Sequence, residues 1–114
     1  MSDCIFCRIA SKDINSDTVW EDEHCVAFRD LNPQAPAHIL VVPRKHVGNL
    51  AEASPEDQAL LGHLLLVCQR LAREEGVEKS GYRVVVNSNA DAGQSVEHLH
   101  FHVFGGRAMR WPPG

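Results

Sequence analysis

Polar and apolar residues alternate without a break through Glu97-His98-Leu99-His100-Phe101-His102-Val103-Phe104. A period of two is that of a β-strand. It predicts that His98, His100 and His102 share one face while Leu99, Phe101 and Val103 are buried behind them. Elsewhere the period changes. Leu60, Leu61, Leu64, Leu65, Cys68, Leu71 and Ala72 recur at helical spacing and give one broad apolar stripe. The preceding Ser54-Pro55-Glu56-Asp57 supplies an N-cap, a proline at the first helical position and acids where the helix dipole favours them. Gly76 is the expected stop. Residues 18–21 and 24–29 read as two strands joined by a tight acidic turn. The apolar run 38–42, closed by Pro43, reads as a buried strand, and the valine-rich stretch 82–87 as another. Residues 4–11 suit a short helix with Ile5, Phe6 and Ile9 on one side.

These elements predict an α+β fold: a five-stranded, mostly antiparallel sheet, one long helix and a short N-terminal helix. The long helix would cover one face and the histidine row would look out from the other. No repeat, low-complexity segment or linker divides residues 1–114, so a single domain is expected. With 114 residues, 44% apolar and 23% charged, the composition is that of an ordinary globular protein. A net charge of −4 gives no electrostatic basis for broad nucleic-acid binding. No apolar run approaches the ~20 residues of a membrane span. The first residues lack the basic and apolar regions of a secretory signal. The expectation is a cytoplasmic protein with no membrane or nucleic-acid partner.

A row of imidazoles offers proton donors, acceptors, a nucleophile and metal ligands near neutral pH. At about 3.3 Å per residue, neighbours in the row lie roughly 6.6 Å apart and the outer pair roughly 13 Å apart at Cα. Zinc–nitrogen bonds of about 2.0–2.1 Å therefore prevent all three from sharing one ion. Of the four cysteines, Cys25 and Cys68 lie in apolar segments and read as small buried hydrophobes. Cys4 and Cys7 form a Cys-x-x-Cys pair, which is metal-binding or redox-active in a reducing compartment. Two thiolates and two imidazoles make a closed tetrahedral zinc site, and His46 and His98 are the expected partners. His63 lies off the helical stripe and reads as solvated.

The loop Asn87 to Ser95 is polar. Gly93 permits close backbone approach, while Gln94 and Ser95 bring side-chain donors and exposed N–H groups suited to an anionic oxygen. Asp30 precedes a proline turn; read alone it is an ordinary turn aspartate or a ribose ligand. Phe6, Ile9, Phe28 and Leu31 would sandwich a flat base or simply be core.

With these residues in view, the chain resembles the histidine triad proteins, and within them the Hint branch of nucleoside phosphoramidate hydrolases. The resemblance rests on His98 to Phe104, Phe28-Arg29-Asp30-Leu31, Pro33 to His38, Pro43-Arg44-Lys45-His46, Gly93-Gln94-Ser95-Val96 and the tail Gly105 to Gly114. The tail is the most branch-specific piece, since the branch that cleaves dinucleoside polyphosphates lacks it. The alternatives are a dinucleoside polyphosphate hydrolase or nucleotidyl transferase that uses the same middle histidine, and a non-catalytic nucleotide-binding regulatory module. The resemblance implies that His100 attacks the α-phosphorus to form a nucleotidyl-histidine, which water resolves to a nucleoside monophosphate. His102 would stabilise the phosphate and the His98 carbonyl would orient the His100 ring. Asn87, Gly93, Gln94 and Ser95 would bind phosphate or the leaving group. Asp30 would bind ribose, with Phe6, Ile9, Phe28 and Leu31 around a purine. A homodimer with a ten-stranded sheet is implied, in which Trp111 comes from the partner's tail. Cys4, Cys7, His46 and His98 resemble the structural zinc ligands of bacterial members. Arg29 departs from the pattern, since His or Asn is common there.

Overall fold

The structure is a computed structural model and describes residues 3–114. Five strands form one antiparallel sheet in the order β1-β2-β3-β5-β4. They are β1 (Thr18–Glu21), β2 (Cys25–Arg29), β3 (Ala37–Pro43), β4 (Tyr82–Val86) and β5 (Phe101–Gly105). Two α-helices pack on it, α1 (Ile5–Ala10) and α2 (Gln58–Glu74).

The two helices take opposite faces because each strand alternates. Cys25 and Ala27 of β2, Ile39 and Val41 of β3, and Phe101 and Val103 of β5 join Leu64, Val67, Cys68 and Leu71 of α2 in the larger core. The intervening residues Val26, Phe28, Leu40 and Val42 pack under Phe6, Ile9 and Ala10 of α1. Cys25 and Cys68 are fully buried, and burial raises each thiol to about 12.

The start of α2 follows its sequence signals with one refinement. Pro55–Asp57 form a 3-10 turn before the α-helix proper, and the Ser54 N–H donates to the Asp57 carboxylate at 3.0 Å. Gly76 ends the segment in a left-handed conformation, φ 74°.

Three expectations are corrected. The histidine strand is shorter than its alternation: β5 begins at Phe101, so only His102 of the triplet lies in it. Alternation persists upstream, but the ladder does not, because the chain at Leu99 turns its N–H to the Val47 carbonyl at 2.6 Å. The row also does not look out to solvent. His98 and His100 are 0% and 4% exposed, with the Phe6 ring of α1 set edge-on against both. His63 is not simply solvated: its Nε2 lies 2.8 Å from the Asp22 carboxylate. Asp22 also accepts from Trp20 Nε1 and from the N–H groups of His24 and Cys25. Its burial is unfavourable to the charge, yet these donors hold its carboxyl well below the usual range. The missed signal was tertiary, since Asp22 sits in the β1–β2 turn and reaches α2 only in the fold.

Candidate functional site

The histidines are organised by hydrogen bonds that fix which nitrogen carries the proton. His100 Nδ1 lies 2.7 Å from the His98 carbonyl. A carbonyl only accepts, so Nδ1 holds the proton and Nε2 of the neutral ring keeps its lone pair. His102 is set the other way. The Gln34 N–H donates to His38 Nδ1 at 3.0 Å, which leaves the proton of neutral His38 on Nε2. That proton faces His102 Nδ1 at 2.9 Å, so His102 carries its own proton on Nε2. One ring thus offers a lone pair and its neighbour a donor, with ring centroids 5.0 Å apart.

Burial disfavours the charged forms of His102 and His38. His102 is held down to about 4 by burial and by the neighbouring His100 and His38 rings, with Asp30 opposing. His38 is lowered by burial, again against Asp30. The Asp30 carboxylate stands 3.5 Å from His38 Nε2 and accepts the Asn32 N–H at 2.8 Å. It keeps the turn shape of an ordinary aspartate while presenting a charge beside the imidazoles.

His100 and His102 line a cavity of about 290 Å³. Its walls are largely apolar, with Phe6 and Ile9 from α1, Phe28 from β2 and Leu40 from β3, and Asp30 and Ser95 bring polar groups. Leu31, 99% exposed, stands at its mouth. An apolar slot with a few convergent polar groups suits a small molecule with a flat part and an anionic part.

The other anticipated residues lie elsewhere. Asn87 lines a separate cavity under the C-terminal tail with Gln34, Arg83 and Phe104. The loop amides are also less open than its composition implies. The N–H groups of Gly93 and Gln94 turn back to the Ala90 and Asn89 carbonyls. The Gln94 side chain is spent on the loop, donating to Gly48 and Val96 carbonyls and accepting from the Asn89 N–H. Gly93 is left-handed, φ 77°, the turn that lets Ser95 reach the cavity. Trp111 is 83% exposed. Arg29 turns its guanidinium to Glu75 at the end of α2, at 2.7 and 3.0 Å, and not toward Asp30.

His38 carries no role in the sequence reading beyond its place in a matched motif. Its available signal was weak: a histidine at the start of an apolar run, on the residues that alternate with Ile39 and Val41. Only the β3–β5 pairing, which sets His38 opposite Phe104 and Leu40 opposite His102, puts it beside the triplet.

The fourth group is the quartet Cys4, Cys7, His46 and His98, whose ligand atoms all lie within 4.8 Å of one another. His98 Nε2 donates to the Pro43 carbonyl at 2.8 Å, so Nδ1 of the neutral ring carries the lone pair. Burial lowers the His98 pKa, with the Pro43 bond opposing, which favours the neutral form that ligates. Nδ1 lies 3.3 and 3.5 Å from the Cys4 and Cys7 sulfurs and 3.1 Å from His46 Nδ1. The His46 to Cys7 separation is 3.3 Å. Tetrahedral zinc with bonds of about 2.0–2.3 Å would set such ligand atoms roughly 3.3–3.8 Å apart. Two soft sulfurs, two imidazoles and this spacing fit a divalent cation.

Residues 11–109 match the HIT domain model, so Cys4 and Cys7 precede the matched span. An uncharacterized HIT-like protein of Synechococcus elongatus is 53% identical over 112 residues, covering 98% of this chain and 97% of that protein. One from a Synechocystis species is 48% identical over the same shares. Among solved structures, a HIT family hydrolase from Legionella pneumophila superposes with a TM-score of 0.97 at 45% identity, covering 98% of this chain and all of that one. A histidine triad protein from Clostridium difficile gives 0.93 at 43%, covering 96% of each chain. Matched span, sequence identity and superposition agree: the chain belongs to the HIT domain family.

Proposed function

We propose that the protein is a hydrolase of purine nucleoside phosphoramidates, and also of aminoacyl-adenylates, of the Hint type. The observation that carries the reading is the 2.7 Å contact from His100 Nδ1 to the His98 carbonyl, which leaves the opposite nitrogen nucleophilic inside the cavity. In this reading the base lies between Phe6, Ile9, Phe28 and Leu31, and Asp30 accepts from the ribose hydroxyls. His100 Nε2 attacks the α-phosphorus, forming a phosphorus–nitrogen bond as the bond to the leaving group breaks; an amine takes a proton from water as it departs, and the carboxylate of an aminoacyl-adenylate leaves as the anion. Water then attacks the phosphorus, releasing the nucleoside monophosphate and the free imidazole. The His102 Nε2 proton and Ser95, the residue of the 93–95 loop that lines the cavity, stabilise charge on the phosphoryl oxygens throughout.

The quartet is read as a structural zinc site held by Cys4, Cys7, His46 and His98. When bound, the metal supplies a cross-link between the N-terminus of α1 and the loops that carry His46 and His98. A cytoplasmic homodimer is part of the same proposal. The position of β4 at the sheet edge and the exposed Trp111 support it.

Rapid quenching with adenosine phosphoramidate labelled in the nucleotide tests the mechanism. Label on the peptide that contains His100 is the expected result. Product that accumulates while no adduct is ever captured would overturn it.

A further inference from the structure

α1 serves two sites at once. Ile5, Phe6 and Ile9 form one wall of the cavity, while Cys4 caps the helix and Cys7 lies in its first turn, both facing the quartet. The helix has six residues, far below the ~12–15 at which an isolated helix becomes even marginal in water. Its shape therefore depends on what holds its ends. At the C-terminal end Arg44 Nη1 donates to the Ala10 carbonyl at 2.8 Å. At the N-terminal end Cys4 and Cys7 reach His98 and His46.

A second connection runs through His98 itself. Its Nδ1 belongs to the quartet, and its carbonyl accepts from His100 Nδ1 at 2.7 Å. The Phe6 ring, carried by the same helix, sits against both His98 and His100, at centroid distances of 5.9 and 5.1 Å. A shift in either the helix or the His98 backbone changes the wall of the cavity and the aim of His100 together.

We infer that cation binding at Cys4, Cys7, His46 and His98 and nucleotide binding in the cavity are thermodynamically linked: each ligand strengthens the other. The quartet is then a control point on the nucleotide site as well as a brace. The inference rests on the nucleotide reading of the cavity given above. Linkage is reciprocal, so one factor governs both directions. It is expected to be about tenfold, within the range of ordinary coupling between sites.

The test uses the full chain with Zn²⁺ and AMP as probes. Calorimetric titration of AMP into zinc-loaded and chelator-stripped protein is expected to give about tenfold weaker binding in the stripped form. Circular dichroism on both samples checks that each is folded. His46→Ser, which removes one exposed ligand that lies outside α1, is expected to weaken zinc and AMP together. A third measurement starts from the loaded, folded protein: in equilibrium competition against a chelator, zinc should be held about tenfold more tightly when AMP is saturating. Equal AMP affinity in loaded and stripped folded protein overturns the linkage, as does a zinc affinity indifferent to AMP; either leaves the hydrolase reading standing. Zinc-loaded protein that binds no AMP overturns the nucleotide reading, and the linkage with it.

Discussion

The two faces of the sheet do different work with the same strands. On one face a 17-residue helix closes an apolar core of Ile39, Val41, Leu64, Leu71, Leu99, Phe101 and Val103. On the other a six-residue helix closes a smaller core beside buried His38, His98 and His100. Burial on the first face stabilises by removing apolar surface from water. Burial on the second fixes protons, because each imidazole has to satisfy its nitrogens and its partners dictate which one keeps a lone pair. Stability is concentrated on one side so that the other can carry imidazoles in a dry setting. The segment Leu99–Val103 shows this within one stretch of chain, with core residues and histidines on alternate positions.

His100→Ala would break the comparison most sharply. Turnover of adenosine phosphoramidate is expected to fall by about 10⁴-fold or more, the scale of losing a nucleophile. AMP affinity should stay within a few-fold and the melting temperature nearly unchanged. Parent-rate turnover would remove His100 from the mechanism.

Leu71→Ala acts on the opposite face. Leu71 is 1% exposed in the larger core, and the truncation should destabilise by about 2–5 kcal/mol. Chemical denaturation reads the loss, while kcat of the protein that remains folded should stay within twofold. A kcat loss matching that of His100→Ala would show that the faces are not separable.

A smaller effect is expected from His38→Ala. It removes the Nε2 donor that sets the His102 tautomer, and kcat should drop by about tenfold to a hundredfold through misorientation. The nucleotidyl adduct on His100 should still form. An unchanged kcat would deprive His38 of its positioning role.

The gentlest probe is pH. His102, held down to about 4, and His38, also lowered, bind protons less readily folded than unfolded. Stability is then fully present above the ordinary histidine value of about 6.5 and declines as pH falls toward 4. The melting temperature should drop by several degrees over that window. His102→Gln, which cannot titrate, should flatten the slope; an unaltered slope would assign it to other groups.

Much of the frame was legible in sequence because it is local. The strand at residues 18–21, the strand read at 82–87 and found at 82–86, the α2 stripe and the Gly76 stop follow from periods and caps that involve neighbours a few positions apart. The same holds for the common side of His98, His100 and His102. What stayed hidden depends on residues distant in the chain. His63 meets Asp22 across 41 positions, and Arg29 meets Glu75 across 46. The loop 87–95 looked like an anion cradle by composition, yet its amides and the Gln94 side chain are largely consumed by its own turn. Composition reports which donors exist, while only the backbone path reports which are still available.

Sequence by itself determined the alternation that puts three imidazoles on one side, the helical stripe that covers the other, and the close spacing of Cys4 and Cys7. Tertiary structure decided which nitrogens keep their protons, that His38 joins the row, and that α1 lies over the histidines and does not leave them open. The physical reason is one of range. Side-chain direction is set by backbone geometry within a few residues. A histidine's tautomer and burial are set by whichever groups the folded chain brings within about 3 Å; for His100 that group is the nearby His98 carbonyl, but for His102 and His98 the partners, His38 and Pro43, are distant in the chain.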